Sequence, residues 1–188
     1  AIAEERERFC AYVQQVTADD LQRVSTLPVP AERDLTSRER YRVWTRLHKR
    51  WGVARGAVWY PLQPLPLPPP PHVLAFEADW FAWEVPLATL RAILTSRRVR
   101  RVWEIMNSPF GHAKEVDVAV FIPSGYETYW TSEKMDWMIY ASHESSLTAC
   151  GDWLLNLVKE AWLAWAEHLY LRYEYQRPPY GESPADGE

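Results

Sequence analysis

A chain of 188 residues, 47% hydrophobic and 24% charged, has enough apolar mass to bury a core, which excludes general disorder. Its two cysteines, Cys10 and Cys150, lie far apart and outside any CxxC or Cys/His cluster, which argues against a disulfide framework or zinc site and for a reducing compartment. The net charge of −4 is uneven: residues 1–101 carry 16 Lys and Arg against 11 Asp and Glu, whereas residues 102–188 carry 5 against 14, too few cations in the second half for nucleic-acid binding.

No run approaches the roughly 18 apolar residues of a spanning helix, and the charged stretch Glu4 to Arg8 is unlike a secretory leader, so a cytoplasmic protein with no membrane contact is expected. Residues 3–27 place Phe9, Val13, Val16, Leu21 and Val24 at helical spacing, predicting one or two helices with an internal cap at Thr17. Pro28 and Pro30 end them. Thr36 or Ser37 then caps a helix whose Tyr41, Trp44, Leu47, His48 and Trp51 share a face, and Gly52 closes it. AVWYPL, residues 57–62, reads as a short strand, and residues 61–72 are so rich in proline that they predict an extended, stiff connector.

VLAFE, residues 73–77, alternates as a strand, and Pro86 opens a short helix through Leu87, Leu90, Ile93 and Leu94 that ends in Arg97, Arg98, Arg100 and Arg101. The period then changes to two. VWEIM, VDVAVFI, GYETYW, DWMIYAS and SLTAC predict an antiparallel meander of four to five strands over residues 100–150. A three-residue loop at Ser132–Lys134 would pair Trp130 with Asp136, Tyr129 with Trp137, Thr128 with Met138 and Tyr126 with Tyr140. DWMIYA is apolar on both faces and belongs inside the sheet. Asp152 caps a long, mostly buried helix over residues 152–174, and residues 176–188 read as a disordered tail. The expected whole is a single α+β domain over residues 1–175, its sheet covered by the helical N-terminal part, residues 1–52, and by the tryptophan-rich C-terminal helix.

The sequence SHESS, Ser142–Ser146, follows the interior strand and offers residues suited to a small hydrolase or transferase: His143 as base, Glu144 as an orienting or acidic partner, Ser142, Ser145 or Ser146 as nucleophile, and Glu127 or Asp152 as partners from elsewhere in the chain. Successive residues of an extended strand point to opposite faces, however, so SHESS forms no triad without a bend, and no GxSxG elbow accompanies it. His48, His72, His112, His143 and His168 are scattered, with no metal-ligand spacing, and seven glycines form no phosphate cradle, so neither metal nor cofactor is expected. Trp59, Trp80 and Trp83 could stack a sugar or anchor a partner. The chain therefore reads first as a non-catalytic binding protein of the immunity or antitoxin kind, engaging a basic partner through Glu127, Glu133, Asp136 and Trp130.

Overall fold

The computed structural model describes residues 31–63, 72–108, 111–124 and 126–170, together with Glu7, Ala11 and Gln15, which are helical. The chain forms two compact units, Ala1–Ala31 and Glu32–Glu188. The rest of the helices expected over residues 3–27, most of the proline-rich connector and the tail at residues 176–188 lie outside the described residues.

The second unit is α+β. Its strands are β1 (Glu32–Asp34), β2 (Val73–Glu77), β3 (Arg101–Met106), β4 (Ala113–Asp117), β5 (Thr128–Thr131), β6 (Met138–Ala141) and β7 (Ser146–Cys150). All pairings are antiparallel, in the order β1-β4-β3-β5-β6-β7-β2. The sheet is thus larger than the four or five strands expected, because β1 and β2 add its two edges. It is not a simple meander either, since β5 returns past β4 to pair with β3.

Among the described residues four α-helices accompany the sheet: α1 (Ser37–Trp51), α2 (Ala78–Glu84), α3 (Leu87–Ser96) and α4 (Asp152–Ala161). Alternation along the strands sends Ile105, Tyr129, Met138 and Tyr140 into one core with Val43, Trp44, Leu47 and Trp51 of α1. The intervening residues Val102, Trp130, Ile139 and Ala149 enter a second core with Phe81, Leu90, Leu94, Leu154 and Val158 of α2, α3 and α4. All residues of β5, β6 and β7 are buried, as the two-sided apolar pattern of DWMIYA predicts for an interior strand.

Local chemistry explains the helix ends. Thr36 and Glu39 form a reciprocal capping box at the start of α1, and Gly52 in the left-handed conformation ends it. The N-cap of α4 is Gly151, and Asp152, expected there, lies in the first turn. The helix also stops well short of residue 174. Trp162 leaves helical geometry and its indole packs against Phe76 at 5.4 Å and Phe81 at 6.2 Å, after which Trp165–His168 make one 3-10 turn. Leu163, read as part of a buried face, is 90% exposed.

Three more expectations are corrected. AVWYPL forms no strand; Trp59–Gln63 make a turn containing a cis Tyr60–Pro61 bond, with Leu62 and Gln63 N–H groups donating to the Trp59 carbonyl. VDVAVFI ends as a strand at Asp117, whose carboxylate accepts from the Ala119 N–H and turns the chain. The β5–β6 register is displaced by three residues: Thr131 faces Met138, Trp130 faces Ile139, Tyr129 faces Tyr140 and Thr128 faces Ala141. The connecting loop, Ser132–Trp137, is held internally, with Thr131 Oγ1 donating to the Trp137 carbonyl at 2.6 Å and Trp137 Nε1 to Ser132 Oγ at 2.9 Å.

Candidate functional site

The SHESS segment is the turn between β6 and β7, and its serines build that turn. Ser142 Oγ lies 2.8 Å from Ser146 Oγ and accepts from the Glu144 N–H at 3.1 Å and the Ser146 N–H at 3.4 Å. These contacts occupy both hydroxyls. Ser145 adopts φ 55°, unusual for a residue with a Cβ, and its carbonyl accepts the N–H of Ala78, the first residue of α2. The turn therefore holds α2 by its N-terminus.

His143 ties the same turn to the chain entering β5. Its Nδ1 lies 2.5 Å from Glu127 Oε1, which also accepts the His143 backbone N–H at 3.3 Å, while Nε2 lies 3.5 Å from Glu144 Oε1. Glu127 itself has φ 50°, and its carbonyl accepts the Asn107 N–H at 2.6 Å. Its second oxygen accepts the Tyr140 hydroxyl at 2.5 Å. Burial first, and then the Glu127 carboxylate, pushes the Tyr140 phenol well above its ordinary range, keeping it a protonated donor. Tyr140 stacks on Tyr129 at 4.6 Å, and burial likewise raises the Tyr129 phenol.

These contacts make the turn a clasp between β6, β7 and the chain entering β5. Both ring nitrogens of His143 face carboxylates, the hydroxyls of Ser142 and Ser146 are bonded to each other within the turn, and Ser145 is joined to α2 through its carbonyl. Asp152, a partner from elsewhere in the hydrolytic reading, pairs with His72 at 3.7 Å instead. Among the described residues no three His, Cys, Asp or Glu side chains gather as a metal site.

What the clasp positions is a groove of about 350 Å³ on the other side of the turn. Its walls are Phe81, Val85, Leu87 and Leu90 of the α2–α3 corner, Ile122, Pro123 and Tyr126 of the β4–β5 connection, and Ser142, Ser145, Ser146 and Leu147. Each wall is fastened to the turn or beside it: α2 through Ser145, and Tyr126 through its neighbour Glu127 and His143. Ile122 is 52% and Tyr126 65% exposed at the rim, and Trp83, one residue beyond the wall residue Ala82, is 77% exposed. Asp79 lines the groove, among the described residues no lysine or arginine does, and the flanking α2 and turn carry Glu77, Glu84 and Glu144. The Arg91 guanidinium donates to the Phe121 carbonyl at 2.9 Å.

The other predicted residues are dispersed. Trp59 and Trp130 are buried core residues; Trp130 Nε1 donates to Glu104 at 2.9 Å, and Trp59 packs edge-on against Tyr140 at 6.0 Å. Trp80 stacks on His168 at 4.2 Å, which leaves Trp83 as the freely exposed one of the three candidate platform tryptophans. Glu127 lies before β5, whereas Glu133 and Asp136 lie after it, about 13 Å of strand away. There they line a cavity with Arg97, Arg98 and Arg100, so they form no acidic edge continuous with Glu127. The sequence reads the groove residues Ile122 and Tyr126 as strand residues of VDVAVFI and GYETYW, whereas the strands end at Asp117 and begin at Thr128 and both residues lie in the connection between them. No protein-family model matches this chain, and no curated protein or solved structure matches it either.

Proposed function

We propose that this chain is a non-catalytic protein-binding domain, most concretely an inhibitor of the immunity or antitoxin kind, that engages a basic partner through the groove beside the β6–β7 turn. The observation that carries this reading is the exposure of Ile122 and Tyr126 around a concave apolar floor. Large apolar side chains held in water beside a hollow are stabilised when a partner covers them, and aromatic anchors beside pockets dominate the energy of such interfaces. The acidic surround, with Asp79 in the wall and no cation there among the described residues, favours a partner that presents lysine or arginine around an apolar residue. The hydrolytic alternative at His143, Glu144 and Ser145 has less support, because His143 Nδ1 is bonded to Glu127, the hydroxyls of Ser142 and Ser146 are bonded to each other, and Asp152 faces His72.

The test is capture from the native host with the wild-type chain and with a Trp83→Ser/Tyr126→Ser variant, followed by identification of stoichiometric partners and their charge. A basic protein retained by the wild type and lost by the variant, whose own activity the wild-type chain suppresses, supports the reading. No stoichiometric partner, or equal recovery by both, overturns it.

A further inference from the structure

A second concave surface lies where α3 ends. A cavity of about 450 Å³ is lined by Ser96, Arg97, Arg98, Val99, Arg100 and Arg101 on one side and by the β5–β6 loop and Trp153 on the other. We propose that this cavity binds the phosphate group of a phosphorylated small molecule, independently of the protein-binding groove.

Charge is the first reason. Arg101 is drawn toward Glu115 at 3.5 Å and Asp117 at 3.8 Å. Arg97, Arg98, Arg100 and Lys134 remain, four cations against the two carboxylates Glu133 and Asp136, an excess of two positive charges. Among the described residues no ion pair joins Arg98, Arg100 or Lys134 to an acid. A phosphate dianion matches that excess, whereas a single carboxylate leaves half of it uncompensated, and planar guanidinium groups bond phosphate oxygens in pairs.

Backbone geometry is the second reason. The Val99 N–H returns to the Leu94 carbonyl at 3.0 Å and the Arg98 N–H to the Thr95 carbonyl at 2.8 Å, the paired bonds of a helix ending in which the left-handed position is normally glycine. Arg98 occupies that position with φ 60°. An arginine there is less favourable than glycine for the turn itself, and a residue that breaks a local rule with no local compensation points to a use for its side chain. Size is the third. The volume exceeds that of inorganic phosphate and suits a small organic ester, and Trp153, with the Arg97 guanidinium 5.3 Å from its ring centroid, offers an aromatic wall.

Arg98→Gly supplies the critical test, because glycine fits the turn and deletes the charge. Calorimetric titration of the full chain at fixed salt would use inorganic phosphate and phenyl phosphate as probes. Saturable binding of either probe is expected in the wild type, with affinity at least tenfold weaker in Arg98→Gly and in Arg100→Ala, while the melting temperature of Arg98→Gly is equal or higher. Phenyl phosphate binding more tightly than inorganic phosphate supports a site for an organic ester, whereas equal or tighter binding of inorganic phosphate overturns the assignment to an organic ester. Absence of saturable binding of both probes at millimolar concentration, or undiminished binding by both variants, overturns the proposal. Neither result bears on the protein-binding reading, whose variants lie in a different cavity.

Discussion

Glu127 concentrates the demands of this fold on one side chain. Its backbone is left-handed, its carbonyl receives Asn107, and its two carboxylate oxygens receive Tyr140 and His143. Removing an ionised acceptor that serves partly buried donors costs about 1.5–3 kcal/mol, so Glu127→Ala should lower unfolding stability by roughly that amount in urea titrations. A loss below about 0.5 kcal/mol, the usual effect of a neutral surface change, would mean that the clasp holds nothing. Glu39 makes a different prediction. Hydrogen bonds first from Arg33 and then from Thr36 lower its carboxyl from 4.5 to about 2. Because the folded state favours the ionised form, this contribution is fully present above pH 4.5 and is lost as the pH falls through about 2. The gap in melting temperature between wild type and Glu39→Gln should therefore be widest above pH 4.5 and close toward pH 2; a gap independent of pH would exclude this origin. These bonds also show what sequence withholds. Thr36 and Glu39 are spaced as a capping box in the sequence, but Arg33 bridging Glu39 to Glu115, 82 residues from Arg33, is set by strand order alone.

At the scale of elements, pattern was informative where a segment obeys one period and fails where tertiary contacts override it. β2, β3, β5, β6 and β7 alternate or run apolar, and all are found near their predicted places. β1 is three residues, Glu-Arg-Asp, with no apolar signal, and becomes a strand only because β4 offers it an edge. α2 has no capping side chain and is specified by Phe81 entering the core. Similarly, α4 ends where Trp162 finds Phe76 and Phe81, contacts far away in sequence. The β5–β6 register slipped because Trp137, read as a strand residue, belongs to the loop. That loop makes a sharp prediction at the start of α4. Gly151 has φ 98°, and a Cβ there would meet the Asp136 carbonyl oxygen at 2.3 Å. Gly56 also has positive φ, 79°, but a Cβ there would meet nothing within 4 Å. Gly56→Ala should cost only the conformational penalty of about 1–2 kcal/mol, whereas Gly151→Ala adds a backbone clash and should lose several kcal/mol more. Equal losses for the two in denaturant titrations would show that the β5–β6 loop yields freely to α4.

At the scale of the described unit, charges of the two sequence halves meet in space. Glu133 and Asp136 from the acidic half stand beside Arg97, Arg98 and Arg100 from the basic half, while the groove keeps Asp79 and, among the described residues, no cation. Folding thus interleaves charges of the two halves at the arginine-lined cavity, so the proposed interface draws its acidic character from the groove's own surround. The order of strands has a further consequence, because β2 and β1 are the sheet edges and an edge strand invites pairing with another chain. The chain covers β2 itself: after the 3-10 turn, Leu169 bridges Phe76 and the Tyr170 N–H donates to the Ala75 carbonyl at 2.9 Å. Tyr170→Pro deletes that donor, and the φ of a proline leaves Leu169 free to keep its extended conformation. The variant should lose about 1 kcal/mol, the net worth of one hydrogen bond, and should self-associate at concentrations where the wild type sediments as one species. Unchanged sedimentation together with unchanged stability would mean that the Ala75 carbonyl needs no cover, and the return of the chain along β2 would then serve only to seat Trp162 and His168 against Phe76 and Trp80.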